Sequence, residues 1–137
     1  MTANKLKVMV VDDSKVVLEH LGFVLDRAGY EVTVRGSAIG TVQQVVKVRP
    51  DVLVLDVSMP ALDGDRLVSV IAQIDSKIVI ILHSSLAPDQ LDQLAASSGA
   101  HGAITKTPDA TRFLMALQRI LLARGRCGSG ARRYSVR

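Results

Sequence analysis

The sequence predicts an α/β protein whose centre is a doubly wound, five-stranded parallel sheet, and three observations lead there. The runs Val8-Met9-Val10-Val11, Val52-Leu53-Val54-Leu55 and Ile78-Val79-Ile80-Ile81-Leu82 are short, continuous and rich in β-branched residues, as strands buried on both faces are. Amphipathic stretches of helical period separate them. The two patterns alternate five times, which selects parallel strands joined by right-handed crossovers, with helices on both faces.

The elements follow in order. After the first strand, Val17, Leu18, Leu21, Val24, Leu25 and Ala28 recur at helical spacing, with Ser14 placed to cap the start and Gly29 to end it. Glu31-Val32-Thr33-Val34-Arg35 alternates as a strand with one wetter face. Residues 39–48 read as a helix from Val42, Val45 and Val46, although β-branching weakens that helix. Past the third strand, Met59-Pro60 and Asp63-Gly64 supply turn chemistry, and Leu67, Val70, Ile71 and Ile74 mark a helix. Another helix runs through Leu91, Leu94 and Ala95 to Gly99, with Pro88 in its first turn. Gly102-Ala103-Ile104-Thr105 makes a short last strand, and Phe113, Leu114, Leu117, Ile120 and Leu121 a last helix, capped by Thr107 with Pro108 in its first turn.

Composition narrows the function. The 137 residues suit one ordinary domain, read here as residues 5–123, followed by a basic, flexible tail over residues 124–137. Five of the seventeen basic residues and no acid lie in that tail, so the net charge of +4 hides a body with twelve basic against thirteen acidic residues. Two Phe, two Tyr and no Trp leave no aromatic platform for stacking bases, so nucleic-acid binding is not expected of the body. The single cysteine, Cys127, excludes a disulfide framework or a cysteine zinc site within one chain. The polar start and short first apolar run are neither a signal peptide nor a membrane span. A cytoplasmic protein is the expectation.

Open parallel sheets bind ligands outside the carboxyl ends of their strands. There the first strand ends in Asp12-Asp13, the third in Asp56, the fourth in His83-Ser84-Ser85 and the fifth in Thr105-Lys106. Two carboxylates about 4 Å apart repel by roughly 4 kcal/mol at an effective dielectric near 20, so the cluster demands a cation. An oxygen-only site with room for waters and a phosphate oxygen suits Mg²⁺. Phosphoryl transfer fits these residues, because its catalysis is mostly positioning and charge neutralisation.

Taken together, Val10-Val11-Asp12-Asp13-Ser14, the run Leu55-Asp56-Val57-Ser58-Met59-Pro60-Ala61-Leu62-Asp63-Gly64, Ser84 and Lys106 resemble the receiver family of two-component response regulators. The resemblance spans about residues 5 to 123. It implies a flavodoxin-like (βα)5 fold with strand order 2-1-3-4-5 and a phosphorelay switch rather than an enzyme. It further implies that Asp56 is phosphorylated by a sensor histidine kinase or a phosphotransfer protein. Asp13, Asp56 and the backbone carbonyl of Ser58 would bind Mg²⁺, with Asp12 acting through a metal-bound water. Ser84 and Lys106 would contact the phosphoryl oxygens. An output partner would dock on the last two helices and the fifth strand.

Bland readings compete at each position. Asp12 and Asp13 could be helix-capping acids, Ser84 a turn hydroxyl and Lys106 a solvated lysine, while His20 and His101 read as surface residues. A Ser-His hydrolase fails because His83 and Ser84 point to opposite faces and no Gly-x-Ser-x-Gly elbow exists. A haloacid-dehalogenase-type phosphatase wants an acid two residues after Asp56, where Ser58 stands. The sequence also departs from the family. Ala103 replaces the usual switch aromatic, Lys106 precedes Thr107 rather than proline, so a trans bond is expected there, and Ser58 and Leu86 differ from the common polar pair. The alternative function is therefore a receiver-fold interaction module with little phosphorylation-dependent switching.

Overall fold

The structure, a computed structural model, describes residues 5–58 and 64–126. The turn read at Met59-Pro60 and Asp63 lies outside the described residues, as does the tail from Cys127 onward. The chain runs β1 (Lys7–Val11), α1 (Lys15–Arg27), β2 (Glu31–Arg35), α2 (Thr41–Val48), β3 (Val52–Asp56), α3 (Gly64–Ile74), β4 (Val79–Ser84), α4 (Pro88–Ser98), β5 (Gly102–Thr105) and α5 (Ala110–Ala123). All strand pairs are parallel, in the order β2-β1-β3-β4-β5. The chain order reverses between β1 and β3, which opens a crevice at their carboxyl ends.

Burial explains the strand sequences. Every residue of β3 and of β4 is buried, so neither strand can alternate with polar residues, and the runs are continuously apolar until the rim. One face of the sheet carries Val8, Val10, Val52, Val54, Val79, Ile81 and Ile104 against Leu21 and Leu25 of α1 and Phe113, Leu117 and Leu121 of α5. The other carries Met9, Val11, Leu53, Leu55, Ile80 and Leu82 against Val45 of α2, Val68 and Ile71 of α3 and Leu91 and Ala95 of α4. Each such side chain contributes about 1.5–3 kcal/mol by leaving water. At the amino end of the sheet, Asp51 accepts from the Lys7 N–H at 2.8 Å and from the Arg126 guanidinium, which also donates to the Lys77 carbonyl.

The helix signals hold in most places. Ser14 caps α1 by accepting from the Val17 N–H, and Gly29 and Gly99 take the left-handed conformation beyond α1 and α4. Two readings need correction. The second helix starts at Thr41 and not Ile39, because Gly40 is left-handed at φ 82° and Ile39 is left exposed. At α5 the cap is Asp109, whose carboxylate accepts from the Thr111 and Arg112 N–H groups. Thr107 instead accepts from the Asp109 N–H and steadies the turn before the helix. Pro108 therefore precedes the cap, where it has no ladder bond to break. No peptide bond among the described residues is cis, so Lys106-Thr107 is trans.

Candidate functional site

The alternation of a strand sends every second side chain to the same face, and this phase builds the site. Val10, Val54, Ile81 and Ile104 belong to the core layer under α1 and α5. Two residues beyond each of them stand Asp12, Asp56, His83 and Lys106. Val10 pairs laterally with Val54, Val54 with Ile81, and Asp56 with His83. The apolar layer thus ends in a polar row at the carboxyl rim.

Asp12 and Asp56 are buried, at 0% and 1% exposure, and Asp13 is exposed beside them. Carboxylate oxygens of the three lie within 4.8 Å of one another. The Lys106 ammonium bridges the buried pair, 3.1 Å from Asp12 Oδ2 and 3.5 Å from Asp56 Oδ1. The lysine is held in place because its own N–H donates to the Ser84 carbonyl at 2.7 Å. The cluster expected from the strand ends is therefore present, with its counter-charge.

The two buried acids differ electrostatically. Burial pushes the Asp12 carboxyl above its ordinary value, and the nearby Asp56 charge adds to that; the Ser14 N–H and Lys106 offset only part. Burial acts on Asp56 in the same direction, yet the Ser58 N–H at 3.1 Å, the Ser58 hydroxyl at 2.8 Å and Lys106 together hold its carboxyl below the usual range. All three donors converge on Oδ1. Asp56 Oδ2 is buried and accepts no hydrogen bond from the described residues. A carboxylate held in its ionised form can serve as a nucleophile. The clustered oxygens of Asp12, Asp13 and Asp56 also fit a hard divalent cation that takes oxygen ligands.

Ser84 is buried at the end of β4, and its Oγ accepts from the Leu86 N–H at 3.1 Å. That is the turn role, and it leaves the O–H proton free to be donated. Ser58 contributes its side chain as well as its backbone, which the sequence reading missed; a hydroxyl two residues after a strand-ending aspartate was the available signal. His83, placed at the rim by the sequence but given no role there, also belongs to this environment. It is 3% exposed and meets the Phe113 ring edge-on at 5.5 Å, and burial followed by the Lys106 charge pushes its pKa down to about 4. Nor are the other histidines plain surface residues. His101 Nδ1 accepts from the Ile80 N–H, and His20 Nε2 is buried. Ala103 is half-buried against the second core layer.

An acidic crevice at a topological switch point, with a lysine just past the last strand closing it, defines a class of α/β signalling domain. The chain belongs to the response regulator receiver domain family, whose model matches residues 8–118. It is 30% identical over 120 residues to the chemotaxis protein CheY of Treponema pallidum, covering 84% of this chain and 82% of that one. It is also 30% identical to the transcriptional regulatory protein CseB of Streptomyces coelicolor, over 95% of this chain but only 55% of that protein. Among solved structures, the chemotaxis response regulator CheY4 of Vibrio cholerae superposes with a TM-score of 0.77 at 28% identity, covering 86% of this chain and all of the other. Receivers are signalling domains of two-component systems rather than classical enzymes. No helix among the described residues is long and apolar enough to cross a membrane.

Proposed function

We propose that Asp56 accepts a phosphoryl group on Oδ2 from a sensor histidine kinase or phosphotransfer protein, in a Mg²⁺-dependent reaction, and that the aspartyl phosphate changes partner binding. The observation that carries this reading is the asymmetry of Asp56, with Oδ1 held by three donors and a bare, buried Oδ2. In the transfer the Asp56 oxygen forms the new O–P bond while the donor's bond to phosphorus breaks. Asp13, Asp56 and the Ser58 carbonyl would hold Mg²⁺, with Asp12 acting through one of its waters. Bound there, the ion supplies neutralising charge to the phosphoryl oxygens.

The chain's own groups do the rest. Lys106 stands close enough to both carboxylates to follow charge from the aspartate onto the phosphoryl group. Ser84 can donate its O–H to a phosphoryl oxygen without giving up the Leu86 N–H. The output surface in this reading is α4, β5 and α5, carried by a cytoplasmic receiver unit over residues 5–123 with its basic tail beyond. The test is incubation with acetyl phosphate and Mg²⁺, followed by intact-mass measurement. One phosphoryl adduct is expected on the parent chain and none on Asp56→Ala; an adduct on that variant overturns the assignment.

One observation favours a second reading, an interaction module that hardly switches. Ala103 offers no ring to move between two positions at the sheet edge. Partner affinity measured with and without beryllofluoride, a phosphoryl mimic, separates the two: equal affinities favour the module.

A further inference from the structure

The strand order leaves one long side of β2 without a neighbouring strand, at the opposite edge of the sheet from β5 and the proposed output surface. The backbone of β2 divides between its two sides. The Glu31 N–H donates to the Leu6 carbonyl and the Arg35 carbonyl accepts from the Asp12 N–H, so Glu31, Thr33 and Arg35 direct their peptide groups at β1. By alternation Val32 and Val34 direct theirs outward, where no hydrogen bond from the described residues reaches them. Exposed edges are ordinarily blunted by a proline, a bulge, an early stop or a row of lysines. β2 has none of these, and it keeps register with β1 from Lys7 against Glu31 to Val11 against Arg35.

The sequence Glu31-Val32-Thr33-Val34-Arg35 is complementary to itself. Set antiparallel to a second copy about a two-fold axis at Thr33, Glu31 falls opposite Arg35 at both ends, and Val32 falls opposite Val34 on either side of the centre. The outward groups match in the same register. Each Val32–Val34 pair exchanges both of its N–H···O=C bonds, and each Glu31–Arg35 pair takes the non-hydrogen-bonded position, where side chains stand closer. Sliding the strands by two residues, the smallest step that keeps the outward groups aligned, sets neither charge against its opposite. The side chains are available for this. Glu31 is exposed and its carboxylate has no partner among the described residues. Arg35 gives Nη2 to the Ile39 carbonyl at 2.7 Å and keeps Nη1 uncommitted. Val34 is 43% exposed and adjoins Gly22 of α1, which has no side chain to overhang the strand.

We propose that two copies of this chain associate through β2, antiparallel about a two-fold axis at Thr33, so that their sheets become one continuous sheet. A strand of another protein would have to repeat the same spacing of arginine and acid in reverse, and the second copy already carries it. One short strand from each copy makes a small interface, so the association is of the weak, reversible kind. The inference goes beyond the phosphorylation reading and stands without it, since β2 carries no side chain of the acidic cluster.

Sedimentation equilibrium of the full chain should show a reversible monomer–dimer equilibrium. Glu31→Arg and Arg35→Glu each place like charges at both ends and should weaken it by about tenfold, whereas the double reversal restores opposite charges and should return to within about threefold of the parent. Val34→Pro removes an outward N–H without touching the β1 ladder, a place where an edge strand accepts proline, and should abolish the dimer. Amide exchange locates the contact: raising the concentration of the parent chain should slow the Val32 and Val34 amides and leave Thr33, bonded to β1 in either state, unchanged. The proposal is overturned if the parent chain is monomeric up to about 1 mM, or if dimers form while Val32 and Val34 exchange ignores concentration. It is equally overturned if the double reversal stays as weak as the single ones, or if Val34→Pro dimerises like the parent.

Discussion

The Lys106 ammonium lies 3.1 Å from Oδ2 of Asp12, an aspartate with no exposed surface. This pairing offsets part of the cost of burying that acid, and Lys106 also helps hold the Asp56 carboxyl low. Lys106→Met leaves two buried carboxylates without their counter-ion, so both carboxyls should rise in pKa. Unfolding in urea at pH 7 without divalent cations should show a loss of about 1–3 kcal/mol. The gap should narrow as pH falls and the carboxylates protonate.

Asp13 is exposed and carries one of the three clustered carboxylates. Asp13→Ala should therefore change the stability of the metal-free chain by less than about 0.5 kcal/mol. The same substitution should abolish the rise in melting temperature that millimolar Mg²⁺ gives the parent chain by binding the folded state. An undiminished Mg²⁺ response in that variant places the ion elsewhere.

His83 sets a pH dependence of its own. Its ordinary value of 6.5 falls to about 4 in the fold, so between those pH values the unfolded chain takes up a proton that the folded chain refuses. Its contribution is complete above pH 6.5 and drains away as pH falls to about 4, a loss on the order of 3 kcal/mol. Urea midpoints measured across this window should flatten in His83→Leu relative to the parent chain.

Neighbouring positions on β5 should differ in how well they tolerate added bulk. A Cβ on Gly102 would sit 2.8 Å from Ile120 Cδ1 and 3.1 Å from its Cγ1, so Gly102→Ala should destabilise by about 1–3 kcal/mol. Ala103 borders an open groove of about 570 Å³ shared with Pro88 and Met115. Ala103→Tyr should cost less than about 1 kcal/mol, and denaturation curves of the two variants make the comparison.

The cap of α5 can be tested by a pair of substitutions. Asp109→Ala removes the acceptor of two N–H groups and should cost about 1 kcal/mol. Thr107→Ala removes only a turn contact and should cost less. The reverse order would restore Thr107 as the cap.

The sheet and its acidic rim were legible because they follow from period and position. Continuous apolar runs mark buried parallel strands, and acids at their ends mark the crevice. Even the shared phase of Asp12, Asp56, His83 and Lys106 could be counted from Val10, Val54, Ile81 and Ile104. Contacts that depend on local backbone conformation were not legible. Thr107, Pro108 and Asp109 all suit a helix start, and only the chain direction after Lys106 decides that Asp109 caps it. His101 looks like a turn residue, and what it accepts depends on β4 lying alongside. The Ser84 hydroxyl, likewise, is committed to Leu86 by the turn it begins.

The Arg126 and Asp51 pair at the opposite end of the sheet gives α5 a fixed pivot. Its guanidinium grips Asp51, which in turn holds the start of β1, and it also holds the carbonyl of Lys77. The other end of the helix follows Lys106 by only a few residues. A helix fastened at one end works as a lever, so a small displacement of Lys106 is expected to emerge as rotation of the exposed α5 face, largest near Asp109 and vanishing toward Arg126.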